Sequence, residues 1–401
     1  MRSVEEHQRV IAGLIRAHQP VDVPITDADG LVLAEDVVAP LSLPVFDNSA
    51  MDGYAVRAEE VTGAGLDSPV ALPVAEDIPA GRTDRLTLKT GTVHRIMTGA
   101  PVPAGADAVV PVEATDAGVS VVQIRSAPRP GQHIRRAGED VASGTTVLRA
   151  QTPITPAVLG LLAALGVERV PAIPRPRVLV ISTGSELVPP GVPLQPGQIY
   201  ESNAVMLAAA VRDAGAEVAG VETCGDNVGQ FRAVLDTYAG RADVVLTSGG
   251  VSAGAYEVVK DAFGSGGDVE FVKVAMQPGM PQGAGTLPDG RTMVTLPGNP
   301  VSALVSFEVF LRPALRSAMG LPNPRRPLRT AVLPEALTSP AGKRQFRRGV
   351  YDPETATVTS YGPPASHHLR WLAASNCLLD IGAGVTAMAQ GEQITVWDLT
   401  T

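Results

Sequence analysis

Between Arg177 and Gly320 the chain alternates short β-type runs with helical periods: RVLVIS, SNAVMLAAAVRDAG, EVAGVETCG, NVGQFRAVLDTYAG, DVVLTSGG, AYEVVKDAF, VEFVKVAM, TMVTLPG and VSALVSFEVFLRPALRSAMG. Parallel strands need long crossovers, and a helix is the crossover that buries an apolar stripe on the sheet. The alternation therefore predicts a mainly parallel sheet with helices on both faces, a three-layer α/β/α domain over residues 173–322.

The flanking sequence has other periods, and at 401 residues the chain is too long for one ordinary core. Val4, Val10, Ile11, Leu14 and Ile15 recur near helical spacing over residues 3–18. Short β-type runs broken by proline follow up to Pro44. Gly- and Pro-punctuated strand signals fill residues 45–137. TPAVLGLLAALGVERV then reads as a helix with Thr155 as N-cap and Pro156 at its first position. We expect a split helical/extended domain, 1–44 plus 138–172, around a β-rich insertion at 45–137. LPNPRRP at 321–327 reads as a linker to a β-barrel-like domain over 323–401.

Lys plus Arg total 32 against 41 Asp plus Glu, a net charge of −9, so no basic field exists to hold a phosphate backbone and nucleic acid is not an expected partner. Apolar runs such as Val158 to Val167 are too short to span a bilayer, and no membrane partner is expected. The opening MRSVEEHQRV carries two glutamates where a signal peptide needs an apolar run, so a cytoplasmic location is expected. Cys224 and Cys377 lie far apart without CxxC spacing, which argues against a disulfide framework and a zinc site.

Open parallel sheets bind ligands at the carboxyl ends of their strands. STGSELV, TSGGVSAG and PGNPVSA stand at three such ends. Ser182, Thr183 and Ser185 offer hydroxyls, Gly184, Gly249, Gly250 and Gly254 would let backbone N–H groups approach a phosphate, and Asn299 can bond a ligand edge. Glu186, Asp226 and Glu257 stand near these ends as candidate Mg²⁺ ligands, or as simple helix caps, of which Asp226 in CGDN is the plainest. There is no GxxxxGK[ST], GxGxxG after a strand, GxSxG or HExxH, so kinase-like, dinucleotide-binding, serine-hydrolase and zinc-protease readings lose support. Adjacent His367 and His368 lack partners at ligand spacing, and Trp371 and Trp397 read as core fillers.

PVFDNSAMDGYAV (44–56), HRIMTGAPVPAGADAVVPVE (94–113), IRRAGEDV (134–141), STGSEL, TSGGVS and LPGNPVSA, in this order, resemble the molybdopterin molybdenumtransferase family, MoeA, also represented by the gephyrin E domain. The resemblance runs essentially end to end. It implies a homodimer of four-domain subunits that inserts molybdate into adenylylated molybdopterin with Mg²⁺ assistance and releases AMP. The molybdopterin adenylyltransferase is a further expected partner.

Carried over motif by motif, the resemblance implies that Asp52 and Thr98 of the β insertion face the partner subunit's cleft. Asp140, Glu186 and Asp226 match acidic family positions, and Glu257 stands where the family often has Asp. Ser182, Thr183, Gly184, Ser185, Ser248, Gly249, Gly250, Pro297, Gly298, Asn299 and Ser302 become substrate-binding candidates. Arg347 or Arg348, with Ser366 and joined by Ser302, match positions implicated in oxyanion handling. One departure stands out: VAMQPGMPQGAG has Gln277 and Met280 where many members carry lysines. Two other readings remain open, a hydrolase of a related pterin or nucleotide phosphoanhydride and a non-catalytic cofactor-binding scaffold.

Overall fold

The computed structural model describes residues 1–250, 258–263 and 268–400. It falls into two compact units. The first comprises Met1–Val23, Gly30–Ala34 and Pro171–Thr401, the second Pro24–Asp29 and Glu35–Val170.

In the first unit, β1 (Arg177–Thr183), β2 (Glu217–Cys224), β3 (Val244–Ser248), β4 (Val269–Lys273), β5 (Pro281–Thr286) and β6 (Thr292–Leu296) form one sheet in the order β2-β1-β3-β6-β5-β4. The first four strands of that order are parallel, β5 runs antiparallel to β6, and β4 at the far edge runs antiparallel to β5. β3 and β6 are buried along their whole length, which is why they read as continuous apolar runs rather than alternating ones. β5, PQGAGT, has too few apolar side chains to announce a strand. Its glycines serve close packing instead: a Cβ on Gly285 would strike the Asp268 carbonyl, and one on Gly283 would sit 3.0 Å from the Phe271 ring.

Helix α1 (Val4–Leu14) starts in a capping box, in which Ser3 and Glu6 bond each other's backbone N–H. Its buried face, Val4 and Ile11, joins Val180, Leu246 and Val294 in one apolar cluster, so the first helix packs on the α/β core. The long helix expected over VSALVSFEVFLRPALRSAMG is α5 (Pro300–Ser306) and α6 (Arg312–Ala318) joined by a buried π-turn, Phe307–Leu311. Pro313 has no N–H to give the Val309 carbonyl, and Gln8 of α1 supplies that bond at 3.0 Å. The α/β domain also carries α2 (Asn203–Asp213), α3 (Val228–Thr237) and α4 (Val258–Phe263).

The last domain contains β7 (Leu328–Val332), β8 (Arg344–Asp352), β9 (Thr357–Ser360), β10 (Cys377–Ile381) and β11 (Gln393–Asp398). They pair in the ring β8-β9-β7-β11-β10, and β10 returns to β8, which closes the expected barrel. Trp397 is 3% exposed and meets Phe346 edge to face, a core filler as expected.

The second unit holds a five-stranded sheet in the order Ala108–Pro111, Gly53–Val56, Val93–Ile96, Val70–Ile78, Val121–Ile124. Tyr54, Val56, Val93, Val110 and Ile124 form its core. The helix Pro156–Ala164 has the expected Thr155 cap. Among the described residues no helix is long and apolar enough to cross a membrane.

Candidate functional site

β1, β3 and β6 run parallel and in register, with Ser182 opposite Ser248 and Ser248 opposite Leu296, so their following loops leave at one level. A cleft of about 910 Å³ opens there. Of the residues singled out from sequence, Thr183, Gly184, Glu186, Asp226, Ser248, Gly249, Gly250, Pro297, Gly298, Asn299, Ser302 and Ser366 line it. Ser366 is held at the start of α5 by accepting the Val301 N–H at 3.0 Å.

Two of the glycines work differently from the phosphate-cradle expectation. The Gly184 N–H is committed to the Cys224 carbonyl and the Gly249 N–H to the Leu296 carbonyl, both at 3.0 Å. What requires glycine is proximity. Gly249 has φ +90°, and a Cβ there would lie 2.8 Å from the Thr183 carbonyl oxygen. A Cβ on Gly184 would meet the Glu186 carboxylate at 2.6 Å. These glycines let the loops close on each other and shape the cleft.

The floor is a connected polar chain that sequence reading missed. Ser182 Oγ donates to Glu201 Oε1 at 2.7 Å, and the Ala204 N–H donates to the same oxygen at 2.7 Å. Asn203 Nδ2 donates to the Gly298 carbonyl at 2.6 Å and to Ser248 Oγ at 3.0 Å. Glu201 is 6% exposed and lines the cleft. The only signal in the sequence was YESN ahead of an apolar helical run, which reads equally as an ordinary helix start.

At the rim, Asp226 is not a helix cap as its plain reading held. Asn227 caps α3 by accepting the Gln230 N–H at 3.0 Å. Asp226 instead exchanges bonds with Ser185: its Oδ2 accepts the Ser185 N–H at 3.2 Å, and its own N–H donates to Ser185 Oγ at 3.1 Å. Ser185 thus holds Asp226 rather than lining the cleft. Glu186 precedes a two-residue strand, Leu187–Val188, and caps no helix. The charged residues lining the cleft are Glu186, Glu201 and Asp226, and no Lys or Arg lines it among the described residues. Two exposed rim carboxylates suit Mg²⁺, which takes one or two protein carboxylates and completes its shell with water and phosphate. No group of three or more metal-ligating side chains is assembled among the described residues. Glu257 and Gly254 lie outside the described residues.

The two arginines are not in the cleft lining. Arg348 is 3% exposed and donates to the His368 and Pro363 carbonyls. Arg347 lines a separate groove of about 500 Å³ in the last domain, with Thr338 and Ser360, and donates to the Thr338 carbonyl at 3.2 Å. Burial pulls both guanidinium pKa values down. Gln277 accepts from Gln345 Nε2 at 3.4 Å, and the Met280 carbonyl accepts the Val274 N–H at 2.7 Å. His367 lines the cleft beside Ser366. Cys224 and Cys377 are buried free thiols, pushed up by burial to about 11 and about 12.

In the second unit, Asp52 Oδ1 accepts both the Thr98 N–H and the Thr98 hydroxyl at 2.7 Å. The backbone bond and then the hydroxyl hold the Asp52 carboxyl below its ordinary range. Asp140 is exposed, with its N–H on the Leu43 carbonyl at 3.0 Å.

Fold and cleft together define an α/β ligand-binding protein whose site lies where strand-end loops meet the start of a helix. Residues 2–166 match the family described as MoeA N-terminal region (domain I and II), 179–317 the probable molybdopterin binding domain, and 330–399 the MoeA C-terminal region (domain IV). The chain is 70% identical over 406 residues to molybdopterin molybdenumtransferase 2 of Mycobacterium tuberculosis (strain ATCC 25618 / H37Rv), covering 100% of both. It is 40% identical to molybdopterin molybdenumtransferase 1 of the same strain, covering 99% of this chain and 98% of that one. A crystal structure of a molybdopterin biosynthesis MoeA protein from Pyrococcus horikosii is similar at TM-score 0.80 and 29% identity, covering 100% of this chain and 99% of that one. The chain belongs to the MoeA family of molybdopterin molybdenumtransferases.

Proposed function

We propose that this protein inserts molybdenum from molybdate into adenylylated molybdopterin, releasing AMP, as a homodimer in the cytoplasm. The metal–sulfur bonding belongs to the pterin dithiolene, so the protein's task is to hold two anionic substrates together and offset their charge. The observation that carries the reading is the strand-end cleft, large enough for a nucleotide-linked pterin and charged only by carboxylates among its described lining residues. A phosphate-bearing ligand entering such a site needs a cation of its own. Glu186 and Asp226 are the residues that would hold Mg²⁺, which when bound neutralises phosphate charge. Thr183, Ser248 and Ser302 offer hydroxyls to the ligand. The Thr98–Asp52 pair presents an oriented carboxylate from the second unit, which in this reading completes the partner subunit's site. The adenylylated substrate would be handed over by the molybdopterin adenylyltransferase.

The test follows AMP and finished cofactor from adenylylated molybdopterin with and without molybdate. Molybdate-dependent formation of both is expected. AMP release without molybdate would replace this reading with the hydrolase, and tight binding without turnover would replace it with the scaffold.

A further inference from the structure

Glu201 is a buried carboxylate in the cleft floor, and among the described residues no cation pairs with it. Its Oε1 is fully occupied by the Ser182 hydroxyl and the Ala204 N–H. Among the described residues its Oε2 has no hydrogen-bond donor, and Glu201 lines the cleft. The Ser182 and Asn203 donors beside it are already committed, while the Ser248 hydroxyl can donate or accept. Ser182 spends its proton on Glu201, Ser248 Oγ lies 3.4 Å from Ser182 Oγ, and Asn203 spends both amide protons on Ser248 and the Gly298 carbonyl. With the Asn203 amide fixed that way round, its Oδ1 is left as one more acceptor without a partner. The floor therefore offers acceptors and asks its ligand for N–H groups, and a carboxylate repels the phosphate and oxyanion parts of the same ligand.

We propose that Glu201 is a specificity-determining residue that takes the 2-amino N–H edge of the substrate's aminopyrimidinone ring through Oε2, so that the heterocycle enters the floor and the phosphates stay at the rim. Asn203 ties the start of α2 to Ser248 at the end of β3 and to Gly298 of the PGNP loop. The inference rests on the pterin substrate named above.

The test uses the full chain and two small probes, pterin (2-amino-4-oxopteridine) and lumazine (2,4-dioxopteridine), which differ at that edge: pterin carries a 2-amino group beside an unprotonated N1, lumazine a 2-oxo group beside N1–H. Equilibrium dialysis of each against wild type should show at least tenfold preference for pterin. Glu201→Gln keeps an oxygen to accept from Ser182 and Ala204 but can turn an NH₂ toward the ligand. It should abolish or reverse the preference, with its urea midpoint checked for folding. Glu201→Asp should bind pterin more weakly yet retain the preference, which a merely structural role would not produce. Equal binding of the two probes by wild type, binding of neither, or an unchanged ratio in Glu201→Gln overturns the proposal. So does a variant that loses Mg²⁺ dependence while keeping the ratio, which would make Glu201 a metal ligand. If wild type fails to insert molybdenum but still prefers pterin, the proposed reaction falls and this assignment stands.

Discussion

His7 is fully buried on the inner face of α1, meets the Phe310 ring edge-on at 4.7 Å, and among the described residues has no hydrogen-bond partner on either ring nitrogen. Desolvation, with a smaller push from Arg2 that Glu270 partly opposes, lowers its pKa from 6.5 to about 4. Between these values the unfolded chain binds a proton that the folded chain does not, so stability falls as pH drops. The contribution is intact above 6.5 and fully lost below about 4. At pH 5 the loss relative to pH 8 comes to roughly 2 kcal/mol. His7→Leu removes the proton and the two unpaired nitrogens together. It should be more stable than wild type at pH 8 by about 1 kcal/mol and should lack that part of the acid slope. Urea unfolding of both proteins from pH 8 to pH 5 measures the difference. His94, also pushed down by burial, titrates in both and cancels. Parallel stability curves for the two proteins would refute the linkage.

Gly249→Ala places a side chain at φ +90° and 2.8 Å from the Thr183 carbonyl, so it should cost about 2 kcal/mol and impair substrate binding; a full-affinity variant of wild-type stability would show that the loops do not need this approach. Subunits carrying Asp52→Ala and subunits carrying Glu186→Ala should each be inactive, and their verified heterodimer should regain part of the activity if the two residues serve one site from different subunits. Met280→Lys should lower the molybdate concentration needed for half-maximal AMP release by tenfold or more, since one lysine about 4 Å from a unit charge contributes on the order of 4 kcal/mol before desolvation reduces it. Equal molybdate dependence in wild type and variant would show that the loop's charge is immaterial.

The α/β domain was legible because helical and strand periods alternate cleanly from Arg177 onward, and the cleft because its loops stand at the ends of three fully or largely buried strands. β5 was not legible, since glycines needed for close approach to Phe271 and Asp268 erase the apolar pattern of a strand. The π-turn was hidden because it keeps a continuous apolar run and is betrayed only by Pro313 and the distant Gln8. The period of α1 announced a helix but carries no information about the surface it packs on. Asp226 and Asn227 are both good capping residues, and which one caps depends on Ser185, forty-one positions away in the chain. Glu201 and Asn203 escaped for the same reason: their partners Ser182, Ser248 and Gly298 come from three different strand ends.

The distribution of positive charge bears on how a carboxylate-lined cleft can serve an anionic substrate. Arg344 is spent on Asp380 at 2.6 Å and on Glu5 at 2.6 Å. Arg348 is spent on two carbonyls, and Arg347 faces another groove. Gln277 is joined to Gln345, and Gln282 to Ser306 and the Gly279 carbonyl, so the segment preceding β5 is tied down by neutral amides. A fixed cation near the cleft would hold oxyanions strongly whether or not the pterin was present. A cleft without one gains affinity for an oxyanion only when the substrate brings its own counter-charge. In the reading proposed above, Mg²⁺ on the nucleotide supplies that charge at the rim while Glu201 holds the heterocycle at the floor. Binding of molybdate is then conditional on the pterin already being seated. In that reading the order of addition follows from where the protein has placed its charges, and the neutral segment from Gln277 to Gln282 is part of it.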